Sequence, residues 1–440
     1  MTEVSENYKR GKVYFTEYSA SYLPSIAELC NYNIKINTNT IREKILNDIL
    51  EFSPDYIVST IRFQSYKYQM EFLAGIKQLI PKTKIIVTGE PFLTYNNNVT
   101  YENPFINYAI IGEPELTLRD ILDGVSDNEI LGISYTDDNM QSVKNEPRPL
   151  IENLDELPFP IRIANENSIE YLEVSRGCPY HCFFCMATPI RGNKVRYRSV
   201  KNVIEEIKFC KDKYNVTEFV FRADNICENR GWLYELCEKI IENKLNIKWS
   251  TNVMPGKIDD ELAQIMQKSG CILCNIGAES GALSILNNLE KNITLEDIKS
   301  TNRILKKSGI TVNNCFLFGL PWETEETAKE TINFAFELNS DEITFNIAAP
   351  FPGTKFFVYT MLSHLVSGEI DFTNAIREPI VGTHKLQKEK ISELRHKAIK
   401  KYYVRPKYFF KSLFTPNIRL FLRVVKILFS DYRKNNKKRV

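Results

Sequence analysis

Cysteines 178, 182 and 185 fall inside one short stretch, SRGCPYHCFFCMATP (Ser175–Pro189). Three thiolates at C-x3-C-x2-C spacing can each hold one iron of a cubane [4Fe-4S] cluster, which normally takes four protein ligands. With three, one iron stays open to an outside ligand. Gly177 and Pro179 suit the tight turn such a loop needs. The rival chemistry is zinc with His181 as fourth ligand, but adjacent His181 and Cys182 would then have to converge on one ion, which strains the chain. The plain alternative is three free cysteines in a core. Cys271 and Cys274 also form a C-x2-C. On a strand, residues three apart point to opposite faces, so these thiols are expected to diverge. Cys30, Cys210, Cys227, Cys237 and Cys315 are scattered, and most read as small core residues.

Two runs of alternating strand and helix patterns position the triad. Strand-like segments at Val13–Tyr18, Ile34–Ile36, Asp55–Thr60, Lys84–Thr88 and Tyr108–Ile111 alternate with helical spacing at Ile26–Cys30, Thr40–Phe52, Tyr66–Ile80 and Glu115–Leu122. Such alternation predicts an α/β, doubly wound, Rossmann-like parallel sheet over residues 1–125, with a ligand rim beyond the carboxyl ends of its strands. Residues 126–168 read as a linker, with a hairpin turned at Asp137-Asp138-Asn139 and the prolines of LPFPIR leading out. The alternation restarts at Tyr171–Ser175 and continues through Glu218–Arg222, Lys248–Val253, Ile272–Ala278, Thr311–Phe318 and Glu342–Ala348. Six β/α units predict a partial (β/α)6 barrel over residues 169–370, its chemistry at the C-terminal strand ends. The cysteine loop directly follows the first of these strands. Residues 371–440 read as a helical, basic C-terminal extension.

The totals agree with an ordinary globular chain: 440 residues, 43% apolar, 25% charged, formal net charge +2. The N-terminus MTEVSENYKRGK is polar, and no run of about eighteen apolar residues offers a membrane span. A cytoplasmic protein is expected. Ten cysteines are too sparse for a disulfide scaffold.

The triad, its place after the first barrel strand and the six-unit pattern resemble the radical S-adenosylmethionine superfamily. IGAESG (Ile276–Gly281), FLFGLPWET (Phe316–Thr324), PFPGT (Pro350–Thr354) and GEPELTL (Gly112–Leu118) are similar to motifs of its subgroup with an N-terminal cobalamin-binding domain. The resemblance implies that Cys178, Cys182 and Cys185 are cluster ligands. S-adenosylmethionine would chelate the open iron and be cleaved to a 5′-deoxyadenosyl radical. Phe184 would lie near the adenine. Asp224 and Asn225 would hold the methionine amino group; a strand-end Asp capping the next helix is the bland reading of Asp224. Glu279 would accept from ribose hydroxyls, with Ser280 beside it also able to cap the next helix. Gly319 would let the backbone approach the adenosine, and Glu323 would cap the helix that follows.

Cobalamin would sit between the domains. No D-x-H-x-x-G occurs, and all four histidines (His181, His364, His384, His396) lie outside residues 1–125, so no histidine from there is available to cobalt. The implied reaction is methyl transfer to an unactivated carbon. The alternatives are a radical cyclase or oxidoreductase with a vestigial front domain, or a non-catalytic metal-binding scaffold. A small-molecule or lipid-like substrate and an electron donor such as ferredoxin or flavodoxin are the expected partners. The tail NIRLFLRVVKILFSDYRKNNKKRV could lie as a basic amphipathic helix on the inner membrane face, or pack its apolar face on the barrel. Nucleic acid is not expected, since no recognition motif is present.

Overall fold

The computed structural model describes residues 10–17, 22–91, 99–137, 139, 141–163, 168–366, 370–375 and 377–405. Two sheets, the second wholly parallel and the first parallel over its first five strands, organise the chain. The first joins β1 (Lys12–Phe15), β2 (Asn33–Ile36), β3 (Tyr56–Ile61), β4 (Lys84–Gly89), β5 (Tyr108–Ile110), β6 (Ile133–Thr136) and β7 (Ser142–Lys144) in the order β2-β1-β3-β4-β5-β6-β7. β1 to β5 are parallel. Their near-continuous apolar runs are what a sheet covered on both faces requires. Val13, Phe15, Val58, Ile86 and Ile110 pack under the helices Leu23–Leu29 and Pro114–Asp123. Tyr14, Ile57, Ile85, Val87 and Ala109 face the helices Arg42–Phe52 and Tyr66–Leu79. The order reverses between β1 and β3, which places the ligand crevice of such a sheet at their carboxyl ends.

The hairpin expected in the connecting stretch forms as β6 and β7. It pairs antiparallel onto β5, so that stretch extends the front sheet instead of running free.

The second sheet contains β8 (Ile169–Glu173), β11 (Glu218–Arg222), β12 (Lys248–Val253), β13 (Cys271–Glu279), β14 (Thr311–Phe318) and β15 (Glu342–Ile347), all parallel and in sequence order. This is the expected six-unit partial barrel. Its convex face is dry: Leu172, Phe219, Phe221, Trp249, Val253, Cys274, Ile276 and Val312 form one core with the surrounding helices. The alternating residues face the concave side and are mostly polar. A two-stranded ribbon, β9 (Ser175–Arg176) with β10 (Arg196–Tyr197), pinches the ends of the cysteine loop together. The helix Lys388–Tyr403 packs Ile391, Leu394, Ala398 and Tyr402 on the last barrel units. The amphipathic tail lies outside the described residues. Among the described residues, no helix is long and apolar enough to cross a membrane.

The Cys271 and Cys274 thiols do not diverge. Their Sγ atoms are 3.7 Å apart in the convex core. β13 carries one extra residue at Ile272, since Trp249 pairs with Cys271 and Ser250 with Leu273. A bulge shifts the face alternation by one, so residues three apart share a side.

Candidate active site

Backbone contacts hold the cysteine loop at both ends and in the middle. Gly177 has φ +91°, and a Cβ there would sit 2.1 Å from the Lys194 carbonyl oxygen, so only glycine fits. The Cys178 amide donates to the Gly192 carbonyl (3.2 Å), Cys185 to Cys182 (3.0 Å) and Phe183 to Leu289 (3.0 Å). The Thr188 hydroxyl donates to the Tyr180 carbonyl (2.7 Å), and the Ala187 amide reaches Cys185 Sγ at 3.4 Å. Phe183 packs between Trp322 and Phe356, with ring centroids at 4.7 and 5.6 Å. All three thiols are partly exposed. Burial pushes Cys182 up to about 12 and raises Cys178 and Cys185. They are therefore neutral thiols until a metal displaces their protons. Among the described residues, no three His, Cys, Asp or Glu side chains are placed to hold one metal ion. His181 is exposed, and the zinc reading lacks its convergent fourth ligand. Three thiols on one pinned loop suit a larger inorganic group that each of them meets separately.

A buried ionic frame surrounds the loop and joins the two sheets. Arg176, one residue before Gly177, donates to Glu115 (2.7 Å) and Glu173 (2.6 Å) and lies 3.2 Å from Glu113. Arg196 donates to both oxygens of Glu113, at 2.9 and 2.8 Å. Burial alone would raise Glu113, but Arg196 and Arg176 win and hold it below the usual carboxylate range. Arg191 donates to the other oxygen of Glu173 (2.9 Å). Burial opposes the charge on Glu173 as well, yet Arg176, Arg191 and Arg222 hold it at about 2.

The expected site residues divide into two groups. Asp224 lies at the loop: its carboxylate accepts from the Gly177 amide at 2.8 Å. It does not cap the next helix, since Asn229 caps Arg230–Glu242. Glu279 ends β13 with φ +58° beside a register shift. It pairs with Lys291, whose ammonium also reaches the Gly277 carbonyl at 2.7 Å. Phe184 packs against the core under the loop. Gly319, φ +91°, directly follows β14, and a Cβ there would meet nothing closer than the Ile391 side chain at 3.5 Å. Asn225 and Ser280 turn elsewhere. Asn225 is buried and donates to Glu228 at 3.0 Å. The Ser280 hydroxyl meets Thr331 at 2.9 Å and accepts from the Ala282 amide, while Ala282 itself holds the N-cap position. Glu323 does not cap the following helix, because Thr324 does so. Its carboxyl instead accepts from the Gly319 amide at 2.6 Å.

Lys291 was invisible to motif reading. It follows a short helix rather than a strand, and only the fold brings its cation to Cys182 and Glu279. Arg176, Arg191 and Glu173 flank the triad closely enough that their charges offered a signal.

A parallel half-barrel with a three-cysteine loop at the carboxyl end of its first strand, under a Rossmann-like sheet, defines a class of iron–sulfur enzymes. The Radical SAM superfamily profile matches residues 172–335. The chain is 30% identical over 430 residues to the uncharacterized methyltransferase PH0819 of Pyrococcus horikoshii, covering 94% of this chain and 93% of that one. Among solved structures it is similar to the cobalamin-dependent S-adenosylmethionine radical enzyme OxsB with aqua-cobalamin and S-adenosylmethionine bound (TM-score 0.73, 15% identity, 98% of this chain and 76% of that chain). It is also similar to the radical S-adenosylmethionine methyltransferase TsrM of Kitasatospora setae (TM-score 0.68, 15% identity, 82% and 78%). The chain belongs to the radical SAM superfamily. It is an enzyme whose cofactors are a [4Fe-4S] cluster and S-adenosylmethionine.

Proposed function

We propose that the chain is a cobalamin-dependent methyltransferase acting on an unactivated carbon of a small molecule. The observation that carries this reading is the meeting of the two sheets at their carboxyl ends. Glu113 and Glu115 follow β5 and grip Arg176 and Arg196 beside the cysteine loop. Phe63 follows β3 and stacks on Phe351, beyond β15, at 5.6 Å. A ligand in the crevice of the front sheet therefore faces the cluster loop, as transfer of a group between two cofactors requires.

Cys178, Cys182 and Cys185 would hold the cluster, which when bound supplies the electron that cleaves the sulfonium of S-adenosylmethionine. Asp224, Glu279 and Lys291 offer charged groups to the amino acid and ribose parts of that cofactor, and Phe184 and Gly319 offer room for its adenosine. In the front crevice Thr16 donates to Ser59 (2.8 Å) and Gln69 to Glu17 (2.8 Å), with Arg62 and Glu90 close by. Burial raises both Glu17 and Glu90. This rim of carboxyl, hydroxyl and amide groups suits the amide fringe of a corrinoid and offers no histidine to its metal. An electron donor of the ferredoxin or flavodoxin type would complete the cycle.

Cluster-reconstituted protein, mixed with cobalamin and S-adenosylmethionine carrying a labelled methyl group, should retain a corrinoid spectrum after desalting and release 5′-deoxyadenosine under reduction. Release of 5′-deoxyadenosine without any retained corrinoid would overturn the methyl-transfer reading and leave a radical cyclase or oxidoreductase.

A further inference from the structure

The concave face of the barrel carries an organised polar wall that the cofactor roles above do not use. Thr344 on β15 donates to the Asn313 side-chain carbonyl (3.2 Å), Asn313 on β14 donates to Asn275 (2.9 Å), and Asn275 on β13 donates to Asn252 on β12 (3.0 Å). The strand register brings the amides level: Asn252 pairs with Asn275, and Asn275 with Asn313. Every donor in this row points the same way, so the amide dipoles add and polarise one another. The row ends at the exposed NH2 group of Asn252, which has no acceptor among the described residues.

The next strand supplies a cation at this end. Val220 pairs with Ser250, so two residues further on Arg222 stands level with Asn252. Arg222 is exposed and lies over the Tyr171 ring, 5.9 Å from its centroid. Phe221 and Leu172, their neighbours in sequence, belong to the convex core, which places Arg222 and Tyr171 on the concave side. Arg222 has no ion-pair partner within 4.0 Å among the described residues; the nearby Glu173 already accepts from Arg176 and Arg191. Of the remaining carboxylates, Glu218 and Glu342 begin their strands at the opposite end, while at this end Glu279 is paired with Lys291 and Asp224 accepts from the Gly177 amide. A guanidinium lying over an aromatic ring offers its fork of donors to a planar or tetrahedral oxyanion.

We infer that this wall is the substrate chamber, and that its substrate is a polar small molecule bearing a carboxylate or a phosphoryl group bound by Arg222 and Asn252. The inference rests on the radical-enzyme reading and adds the substrate class to it. It also sets the lipid-like substrate aside, since the wall presents amides where a lipid would need an apolar surface.

Calorimetry on the full, cluster-reconstituted chain with S-adenosylmethionine present tests it, using methylphosphonate and succinate as probes and dimethyl methylphosphonate and succinamide as neutral counterparts. At least one anion should bind saturably and the neutral compounds should not; which anion binds separates the phosphoryl from the carboxylate case. Arg222→Met and Asn252→Asp should each weaken that binding by about tenfold or more, with Arg222→Lys intermediate, because the fork and the donor end are lost. Melting temperatures within the wild-type range exclude misfolding as the cause. Unchanged affinity in Arg222→Met, equal binding of the neutral compounds, binding of a probe only when S-adenosylmethionine is left out, or no saturable binding of any probe would each overturn the inference. Release of 5′-deoxyadenosine, measured on the same preparation, reports separately on the radical-enzyme reading.

Discussion

Glu323 is a buried carboxyl whose ionisation the fold opposes. It is 1% exposed, and its carboxyl accepts from the Gly319 amide at 2.6 Å with no cation paired to it among the described residues. Burial pushes it up to about 8. An ordinary glutamate titrates near 4.3, so charging Glu323 in the folded chain costs up to about 5 kcal/mol, at about 1.4 kcal/mol per pH unit. The folded state holds the proton more tightly than the unfolded chain does. The benefit is therefore complete below about pH 4 and is lost as pH rises to about 8, above which the penalty is constant. Glu323→Gln keeps an oxygen for the Gly319 amide and cannot ionise. The variant should lie within about 1 kcal/mol of wild type near pH 5 and exceed it by several kcal/mol near pH 9, a large fraction of any domain's stability. Thermal melts of both proteins across that range measure the difference. A stability gap that stays constant with pH would refute the assignment of Glu323 as a neutral acid at the end of β14.

Three further outcomes follow from the loop and its frame. Cys182→Ala should fold yet lose the iron–sulfur absorption and 5′-deoxyadenosine release; retention of both would remove this residue from the ligand set. Gly177→Ala forces a Cβ to within 2.1 Å of the Lys194 carbonyl at φ +91° and should cost about 2 kcal/mol or more, read by melting temperature and by iron content after reconstitution. Glu115→Gln leaves Arg176 buried with one charged partner fewer and should destabilise by about 3 kcal/mol, accompanied by faster proteolysis between the two sheets.

Much of this architecture was legible in the sequence because strand period and chemistry are local. Glu218–Arg222, Lys248–Val253 and Thr311–Phe318 appear as strands with the bounds their patterns suggest. The cysteine loop was legible because its spacing is set by the chain itself. What escaped depended on register. One extra residue in β13 turns Cys274 to the side of Cys271, and no propensity announces it. Asn252, Asn275 and Asn313 are poor strand formers whose isolated occurrences read as noise; only parallel pairing lines them up. Lys291 needed the folded path of the chain to reach Cys182.

GEPELTL acquires a mechanical meaning from the same frame. Acidic residues in the first turn of a helix are usually explained by the macrodipole. Here Glu115 and the preceding Glu113 point away from that role, into a dry contact with Arg176 and Arg196. Apolar side chains of similar volume would hold two domains together at least as well, because desolvation offsets most of what buried ion pairs contribute. What ion pairs add is direction: the fork of each arginine meets its carboxylate in one orientation. Arg176 also begins the turn that leads to Cys178, so the angle between the sheets and the position of the cluster loop are set by the same atoms. A front sheet that only covered the barrel would not need to be registered to the cysteine loop in this way, whereas one that presents a second reactive group would.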